Sequence, residues 1–294
     1  MNFVVRIKNK PIMEILSKST IEQHILPNLS IGSRGTECET AFLIEIVSAI
    51  LYRLKTGCQW RQLPVKQFFS KKALTWQGVY YHFSEWVKDG SWTKVWISIL
   101  SSNRKYLDLS CIQLDGSHTP AKRGGEAVGY QGRKASNTSN TLYLADNQGQ
   151  MIACASPQEG QHHDLYNIKE LFEELCQMLI KAGIDIKGLF LNADSGFDSQ
   201  ELRQICKDKE MHPNIDINSR NNKSENQSTE YQRVAYQYFD EELYKRRIVI
   251  EHANAWMDSF KALLLRFETK ATNWVAFILL AFTVRFLRKI SNKK

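Results

Sequence analysis

Two short apolar runs, each followed by an aspartate, limit the possible folds of this 294-residue chain more than any other feature. Residues 109–114 and residues 188–193 each predict a short strand, and the second run is apolar enough to be fully buried. Asp115 follows the first run and Asp194 follows the second. Acidic side chains at the ends of two strands, with a further acid on a later helix, can converge on divalent cations. The two runs therefore predict an α/β fold with an acidic site beside its sheet.

The segments around these strands complete the pattern of a mixed sheet. Residues 146–149 predict a hairpin turn, and the acid of His162-His163-Asp164 is predicted to cap the next helix rather than to bind a metal. Asp198 and Glu201 are spaced as a capping box. The order β-β-β-α-β-α-β-α predicts an α/β, RNase H-like mixed sheet flanked by helices. The predicted strands are 109–114, 140–145, 150–155, 188–193 and 214–218, and the helices are 165–182, 198–210, 241–270 and 274 onward.

The first 104 residues predict an all-helical unit. Apolar periodicity places helices at 21–29, 37–54, 76–86 and 92–100, and the polar, basic stretch near Arg104 marks a domain boundary. Residues 1–104 hold 14 Lys and Arg against 7 Asp and Glu, so they carry nearly all of the net charge of +8. A basic helical unit of this kind is compatible with a reader of the DNA major groove. A plain helical bundle with tryptophans in its core and a basic surface is the alternative.

One face of the predicted helix 241–270 carries three different polar groups. Tyr244, Arg247 and Glu251 lie at positions i, i+3 and i+7, which places them on the same side of a continuous helix. A carboxylate that holds a metal, a guanidinium that holds a phosphate and a nearby phenol together suit a phosphodiester. A solvated helix face with an Arg–Glu pair is the alternative interpretation of the same spacing.

These residues resemble the motifs of a known family. The segments Asp115-Gly116 and Asp194-Ser195-Gly196-Phe197-Asp198, and the spacing Tyr-x2-Arg-x3-Glu that ends at Glu251, are similar to those of the DDE transposases of bacterial insertion sequences. The resemblance is to the insertion-sequence-five-like branch of the insertion-sequence-four/five superfamily. Residues 52–64 of this chain also resemble the N-terminal domain of that branch. It implies that Asp115, Asp194 and Glu251 are the catalytic residues and the ligands of two Mg²⁺ ions, for which Mn²⁺ can substitute.

The same resemblance implies contacts with double-stranded DNA. Residues 1–104 would bind the terminal inverted repeats, and residues 105–294 would form the catalytic domain that cuts the ends and transfers them to target DNA. Where the family often has a basic residue, seven positions after the glutamate, this chain has Asp258, so Lys261 is the nearest substitute. A loop predicted at 119–139 adds basic residues that include Arg133 and Lys134. The predicted DNA contacts are Tyr244, Arg247, Lys261, Lys122, Arg123, Lys71, Lys72, Gln77, Tyr80 and His82.

Cysteine usage and hydropathy indicate the compartment. The six cysteines have no C-x-x-C spacing, and the apolar run 274–284 is shorter than the roughly 20 residues of a membrane helix, so we expect a cytoplasmic protein that associates with the bacterial nucleoid when bound to DNA. The resemblance implies a homodimer in the synaptic complex. Two other functions fit the same residues: a sequence-specific DNA-binding protein whose acids are structural, and an RNase H-like nuclease without strand transfer.

Overall fold

The computed structural model describes residues 13–30, 39–71, 74–218, 235–237 and 239–291. Four helices come first: α1 (Lys18–His24), α2 (Thr40–Thr56), α3 (Trp76–Lys88) and α4 (Ser91–Ser102). The side chain of Ser17 caps α1 and that of Thr75 caps α3. Helix α2 ends at Gly57, whose φ of 66° is left-handed and whose missing side chain leaves room for the backbone of Lys261.

The last helix, α10 (Ala271–Ser291), packs against these N-terminal helices and against the sheet. Its Phe277 stacks on Phe83 of α3 with ring centroids 4.6 Å apart, and Trp60 lies 5.3 Å from Phe83. Trp96 of α4 donates its indole N–H to the carbonyl of Ile152 at 3.0 Å. One apolar core therefore runs from the N-terminal helices across α10 to the sheet. Of the helices in the described ranges, none, α10 included, has the length and hydropathy of a membrane span.

The strands of the described chain form a seven-stranded mixed sheet. Strand β3 pairs antiparallel with β1, while β6 is parallel to β1 and β7 is parallel to β6. The order is β2-β3-β1-β6-β7, and β4 and β5 also pair with β3. The RNase H-like fold predicted from the sequence is confirmed. The strands are β1 (Cys111–Pro120), β2 (Gly129–Gln131), β3 (Ser136–Asp146), β4 (Met151–Cys154), β5 (Gln158–Glu159), β6 (Phe190–Ala193) and β7 (His212–Ile215).

Helices flank this sheet, and most of their apolar residues are buried against it or against each other. The remaining helices are α5 (Ile168–Lys181), α6 (Gln200–Asp208), α7 (Glu241–Lys245), α8 (Ile248–Met257) and α9 (Lys261–Leu264). Helix α8 contacts β1 and β3, and α7 contacts β6 and β7. The segment that carries Tyr244, Arg247 and Glu251 therefore lies across the strands that carry Asp115 and Asp194.

The single helix predicted over residues 241–270 is wrong. The chain turns twice, between α7 and α8 and again after α8, although neither place contains glycine or proline. Asn192 of β6 donates to the carbonyl of Leu243 at 2.5 Å, and Lys55 of α2 donates to the carbonyl of Ser259 at 2.9 Å. These distant side chains satisfy carbonyls that a continuous helix would have used, so tertiary hydrogen bonds end both helices.

Three further local predictions are corrected. Strand β1 does not end at Asp115 but continues to Pro120, and residues 119–139 contain strand and 3₁₀ structure rather than one long loop. Asp164 does not cap α5, which begins at Ile168 with no side-chain cap. The capping box at Asp198 is also wrong: Ser199 caps α6, while Asp198 forms a buried ion pair with Arg203 at 2.9 Å. Residues 219–229, whose polar composition predicts a surface loop, lie outside the described residues.

Candidate active site

Asp115 lies on β1, and Asp194 follows β6, the parallel neighbour of β1. In the pairing of β1 with β6, Cys111 lies level with Phe190, and Gln113 lies level with Asn192. Continuing this register by two residues brings Asp115 level with Asp194, and neighbouring strands are about 4.8 Å apart. Asp194 follows directly after β6, and its side chain accepts a hydrogen bond from the Gly196 N–H at 2.8 Å, which fixes the turn after the strand. The sheet thus juxtaposes two acids that are far apart in sequence.

The pKa of Asp115 is raised to about 7. Burial is the largest cause, and the negative charges of Asp164 and Asp194 add to it. A hydrogen bond from the Gly116 N–H and the positive charge of Arg247 oppose the rise. A carboxyl group in this environment ionises more readily when a cation lies beside it, which is the electrostatic behaviour of a metal ligand.

Helix α8 supplies the third side of the site. Its Asn254 donates from Nδ2 to Oδ2 of Asp115 at 2.9 Å, so the helix is hydrogen-bonded directly to the first acid. Glu251 lies one turn before Asn254, and Arg247 lies one turn before Glu251. Oε1 of Glu251 forms an ion pair with Nη1 of Arg247 at 3.2 Å, with the two side chains 53% and 30% exposed. Glu251 is therefore a solvent-exposed residue of α8 and is not buried in the protein interior.

Tyr244 belongs to the same group of side chains, although it lies on α7. Burial raises the pKa of its phenol, and the charges of Asp216 and Asp194 also raise it. Arg247 opposes the rise through its charge and through a side-chain hydrogen bond. The predicted grouping of tyrosine, arginine and glutamate is thus retained across the break between α7 and α8.

The donor chemistry of these carboxylates suits a hard divalent cation, because Mg²⁺ takes a few carboxylate oxygens and completes its shell with water and phosphate oxygens. Within the described ranges, no three His, Cys, Asp or Glu side chains already stand close enough together to hold a metal ion. Sharing one cation among all three acids therefore requires at least one of these side chains to move, and Glu251 is held by the ion pair with Arg247. An exposed ion pair of this kind is worth only about 0–1 kcal/mol, so the pair presents little resistance to that change.

Two residues at the site were missed by sequence reasoning. Asp164 accepts a hydrogen bond from Nδ2 of Asn140 at 2.7 Å and lies so close to Gly116 that a Cβ there would be 2.2 Å from Oδ1. Asn254 lies three residues after Glu251, on the side of α8 that faces β1. The i+3 spacing from Glu251 could have indicated Asn254, but no local signal relates Asp164 to Asp115.

Comparison with family models identifies the chain. A model described as "Transposase DDE domain" matches residues 106–286, which is more than half of the chain and includes both aspartates and the whole of α7 and α8. The chain belongs to the DDE transposase family. It is therefore an enzyme of DNA transposition, and enzymes of this family work with divalent metal ions. The N-terminal part of the transposase, residues 20–96, matches a second model, described as "Putative transposase of IS4/5 family".

Solved structures of Mos1 transposase complexes show a weak similarity to the transposase. The pre-cleavage Mos1 transpososome matches at 11% identity and the Mos1 paired-end complex with left transposon end at 12% identity. Both matches have a TM-score of 0.29 and cover 87% of the transposase and 79% of the Mos1 chain. The Mos1 mariner paired end complex with Mn matches at 12% identity with the same TM-score and coverage. No curated protein matches the transposase. These similarities are too remote to assign the role of any residue.

The predicted DNA contacts of the transposase lie in different settings. In the N-terminal helices, Lys71 is exposed and pairs with Glu39 at 2.9 Å, and Gln77 is exposed. Tyr80 packs against Trp60 with ring centroids 5.2 Å apart, and His82 packs against Trp86, where burial lowers the pKa of the imidazole. Lys72 lies outside the described residues.

The other predicted DNA contacts lie on the catalytic side of the transposase. Lys122 and Arg123 are exposed just after β1. Lys261 is also exposed, but it begins α9 after α8 has ended at Met257. Lys261 is therefore not on the same helix as Glu251, whereas the single helix predicted over residues 241–270 would have placed both on one helix. Among the described residues, two of the predicted DNA contacts, Tyr244 and Arg247, interact electrostatically with Asp115 or Asp194.

Proposed function

We propose that Asp115, Asp194 and Glu251 are the catalytic carboxylates of the transposase and that they bind Mg²⁺, for which Mn²⁺ can substitute. The observation that carries the proposal is the arrangement of β1, β6 and α8: the parallel register aligns the two aspartates, and Asn254 attaches the Glu251 helix to Asp115. The reaction is strand cleavage at the terminal inverted repeats, followed by transfer of the freed ends to target DNA.

Each protein side chain has a distinct task in this reaction. Asp115, Asp194 and Glu251 would hold the divalent cations, which when bound would supply a lowered pKa for an attacking hydroxyl and charge stabilisation for the leaving oxygen of the phosphodiester. Arg247, once released from Glu251, is free to donate to a non-bridging phosphate oxygen and to neutralise its charge. Tyr244 lies beside Arg247 and positions the same phosphate by hydrogen bonding.

We assign DNA-end binding to residues 1–104 and catalysis to residues 105–294. The excess of basic residues in the first of these ranges supports the division, because neutralising phosphate charge supplies most of non-specific DNA affinity. Lys71, Lys72, Gln77 and His82 are the proposed contacts of the N-terminal helices, together with Tyr80 at their edge. Two copies of the chain would hold the two ends of the element in one synaptic complex.

The substitution Asp115→Asn tests the assignment. It keeps the shape of the side chain and its hydrogen-bond acceptor but removes the charge that a cation needs. We expect the variant to fold and to bind DNA like the parent while losing strand cleavage in Mg²⁺, measured on a duplex that carries the inverted repeat flanking the coding sequence. Asp208→Asn, on the exposed surface of α6, is the matched control and should cut normally.

The outcomes separate the competing functions. Cleavage by Asp115→Asn at the parent rate would refute the catalytic role of this residue. If the parent protein binds the repeat but never cuts it in Mg²⁺ or Mn²⁺, a DNA-binding protein with structural acids is the better description. If the parent cuts without preference for the repeat and does not join a pre-cut end to target DNA, it is a nuclease without strand transfer.

A further inference from the structure

A second polar pocket opens on the opposite side of Gly116 from the bulk of the candidate active site. Its walls come from β1, from β2 and the 3₁₀ turn after it, and from the segment that follows β5. The lining residues are His118, Gln131, Arg133, Lys134, Gln161, His162, His163 and Asp164. Arg133 and Lys134 belong to the basic loop that the sequence predicts at 119–139, and the catalytic roles proposed above use none of the eight residues.

The pocket is connected to Asp115 through a single residue. Asp164 forms one wall, and its carboxylate lies against Gly116, the neighbour of Asp115 in β1. Asn140 of β3 holds that carboxylate in place with a hydrogen bond of 2.7 Å. His118 is three residues beyond Asp115 along the strand, which corresponds to about 10 Å at the rise of an extended chain. A DNA strand advances about 3.4 Å per nucleotide along its axis, so this spacing along β1 corresponds to about three nucleotides. Side chains alternate along a strand, so His118 lies on the opposite face of β1 from Asp115.

The charged groups of the pocket favour an anion. Arg133 is exposed, and its guanidinium forms no ion pair or hydrogen bond with any described residue. Lys134 donates one hydrogen bond, to the carbonyl of His118 at 2.7 Å, which leaves its other donors free. Both positive charges act on the ring of His118, whose pKa is lowered mainly by burial. Two cations that form no ion pair with a described carboxylate, although the charge of Lys134 also acts on Asp258, therefore line a pocket with one acid, Asp164, already bonded to Asn140.

We propose that this pocket binds a backbone phosphate of the DNA strand that leaves the active site, with Arg133 and Lys134 as its contacts. The inference rests on the proposed function, because the DNA reaches the pocket only if its reacting bond lies at Asp115. Arg133 supplies paired donors that match a phosphate, and Lys134 supplies a point charge. Gln131 and Gln161 also line the pocket, and their amide N–H groups donate to the Gly160 carbonyl and to Glu159. Binding here fixes the direction of the strand relative to the acids.

The first test measures the salt dependence of DNA binding without added divalent metal. The probe is the duplex that carries the inverted repeat flanking the coding sequence. Each lost phosphate contact should reduce the slope of log affinity against log salt by about 0.9, so Arg133→Ala/Lys134→Ala, which removes both contacts of one phosphate, should reduce it by about 0.9. Lys181→Ala/Lys207→Ala removes the same charge from exposed positions of α5 and α6 and should leave the slope at the parent value. Equal slopes for the parent and the first variant would overturn the proposal.

The second test locates the phosphate. Single linkages on either side of the cleaved bond are replaced one at a time by neutral methylphosphonates. In the parent, one position within about three nucleotides of that bond should weaken binding, and in the Arg133→Ala/Lys134→Ala variant the same position should have no further effect. An undiminished effect in the variant would overturn the assignment. Normal cutting by Asp115→Asn would instead overturn the proposed active site, so the two failures are distinguishable.

Discussion

Replacing Glu268 by glutamine should leave a buried guanidinium without its counter-charge. Arg53 of α2 donates from Nη2 to Oε1 of Glu268 at 2.9 Å, and the two side chains are only 4% and 10% exposed. The rings of Trp60 and Phe277 lie 5.3 and 4.9 Å from the guanidinium carbon and exclude water from it. Burial lowers the pKa of Arg53, and the charge of Glu268 opposes that change. This pair joins the N-terminal helices to the segment between α9 and α10.

The expected loss of stability follows from the burial of this pair. Removing one partner of a buried ion pair costs about 3–5 kcal/mol. Glutamine keeps a hydrogen-bond acceptor, and each aromatic ring retains about 0.5–2 kcal/mol of cation–π attraction. We therefore expect Glu268→Gln to lower the free energy of unfolding by about 3 kcal/mol, at the lower end of the range. The double variant Arg53→Met/Glu268→Leu should recover most of this loss, because apolar replacement of a buried pair is often neutral.

Urea unfolding followed by tryptophan fluorescence measures this effect, since Trp60 lies against Arg53. The control is Lys88→Ala, which removes an exposed partner of Glu85 on α3 and should leave the unfolding midpoint unchanged. If Glu268→Gln unfolds at the same urea concentration as the parent, the charge of Glu268 does not stabilise the buried Arg53 guanidinium. If the double variant is as unstable as the single one, packing rather than charge explains the loss.

Three further predictions concern the candidate site. Asn254→Ala removes the hydrogen bond to Asp115 and should weaken Mn²⁺ binding by about tenfold in calorimetry; unchanged affinity would refute its positioning role. Because the pKa of Asp115 is raised to about 7, by burial first and by neighbouring acids second, cation affinity should be full well above pH 7 and fall below it as protons compete. Asp164→Asn should move that midpoint to lower pH, and an identical midpoint would contradict the charge effect. Gly116→Ala places a Cβ 2.2 Å from Oδ1 of Asp164 and should cost about 1–3 kcal/mol in thermal unfolding, whereas Gly124→Ala, in open space, should not.

The position of Asp194 was predictable because all its determinants are local. A buried apolar run precedes it, a glycine-containing turn follows it, and its own side chain bonds the turn. Asp115 was predictable as a site residue but not as a mid-strand residue. Beyond it β1 is polar, and those residues are in strand only because His118 and Thr119 pair with Asn140 and Ser139 of β3. Apolar periodicity cannot detect a strand whose partner is itself polar.

The candidate site differed from expectation where distant side chains replaced local ones. Asp164 has the sequence context of a helix cap, yet its hydrogen-bond partner is Asn140, which is 24 residues away. The helix over residues 241–270 has no breaking residue, yet Asn192 and Lys55 bond its carbonyls and end it twice. Helix propensity and capping rules take account only of residues close in sequence. A hydrogen bond to a residue far away in the chain can therefore produce a structure that these rules do not predict.

The amino-acid sequence by itself determined the strand and helix types, the pairing of an acidic site with a basic N-terminal unit and the family. These properties follow from short-range patterns of apolar, charged and turn-forming residues, which act before the chain folds. Tertiary structure alone decided that Asp115 and Asp194 are level, that Asn254 faces Asp115, and that Arg133 and Lys134 adjoin Asp164. Those relations depend on strand register and on hydrogen bonds between segments far apart in the chain, which exist only once the sheet has formed.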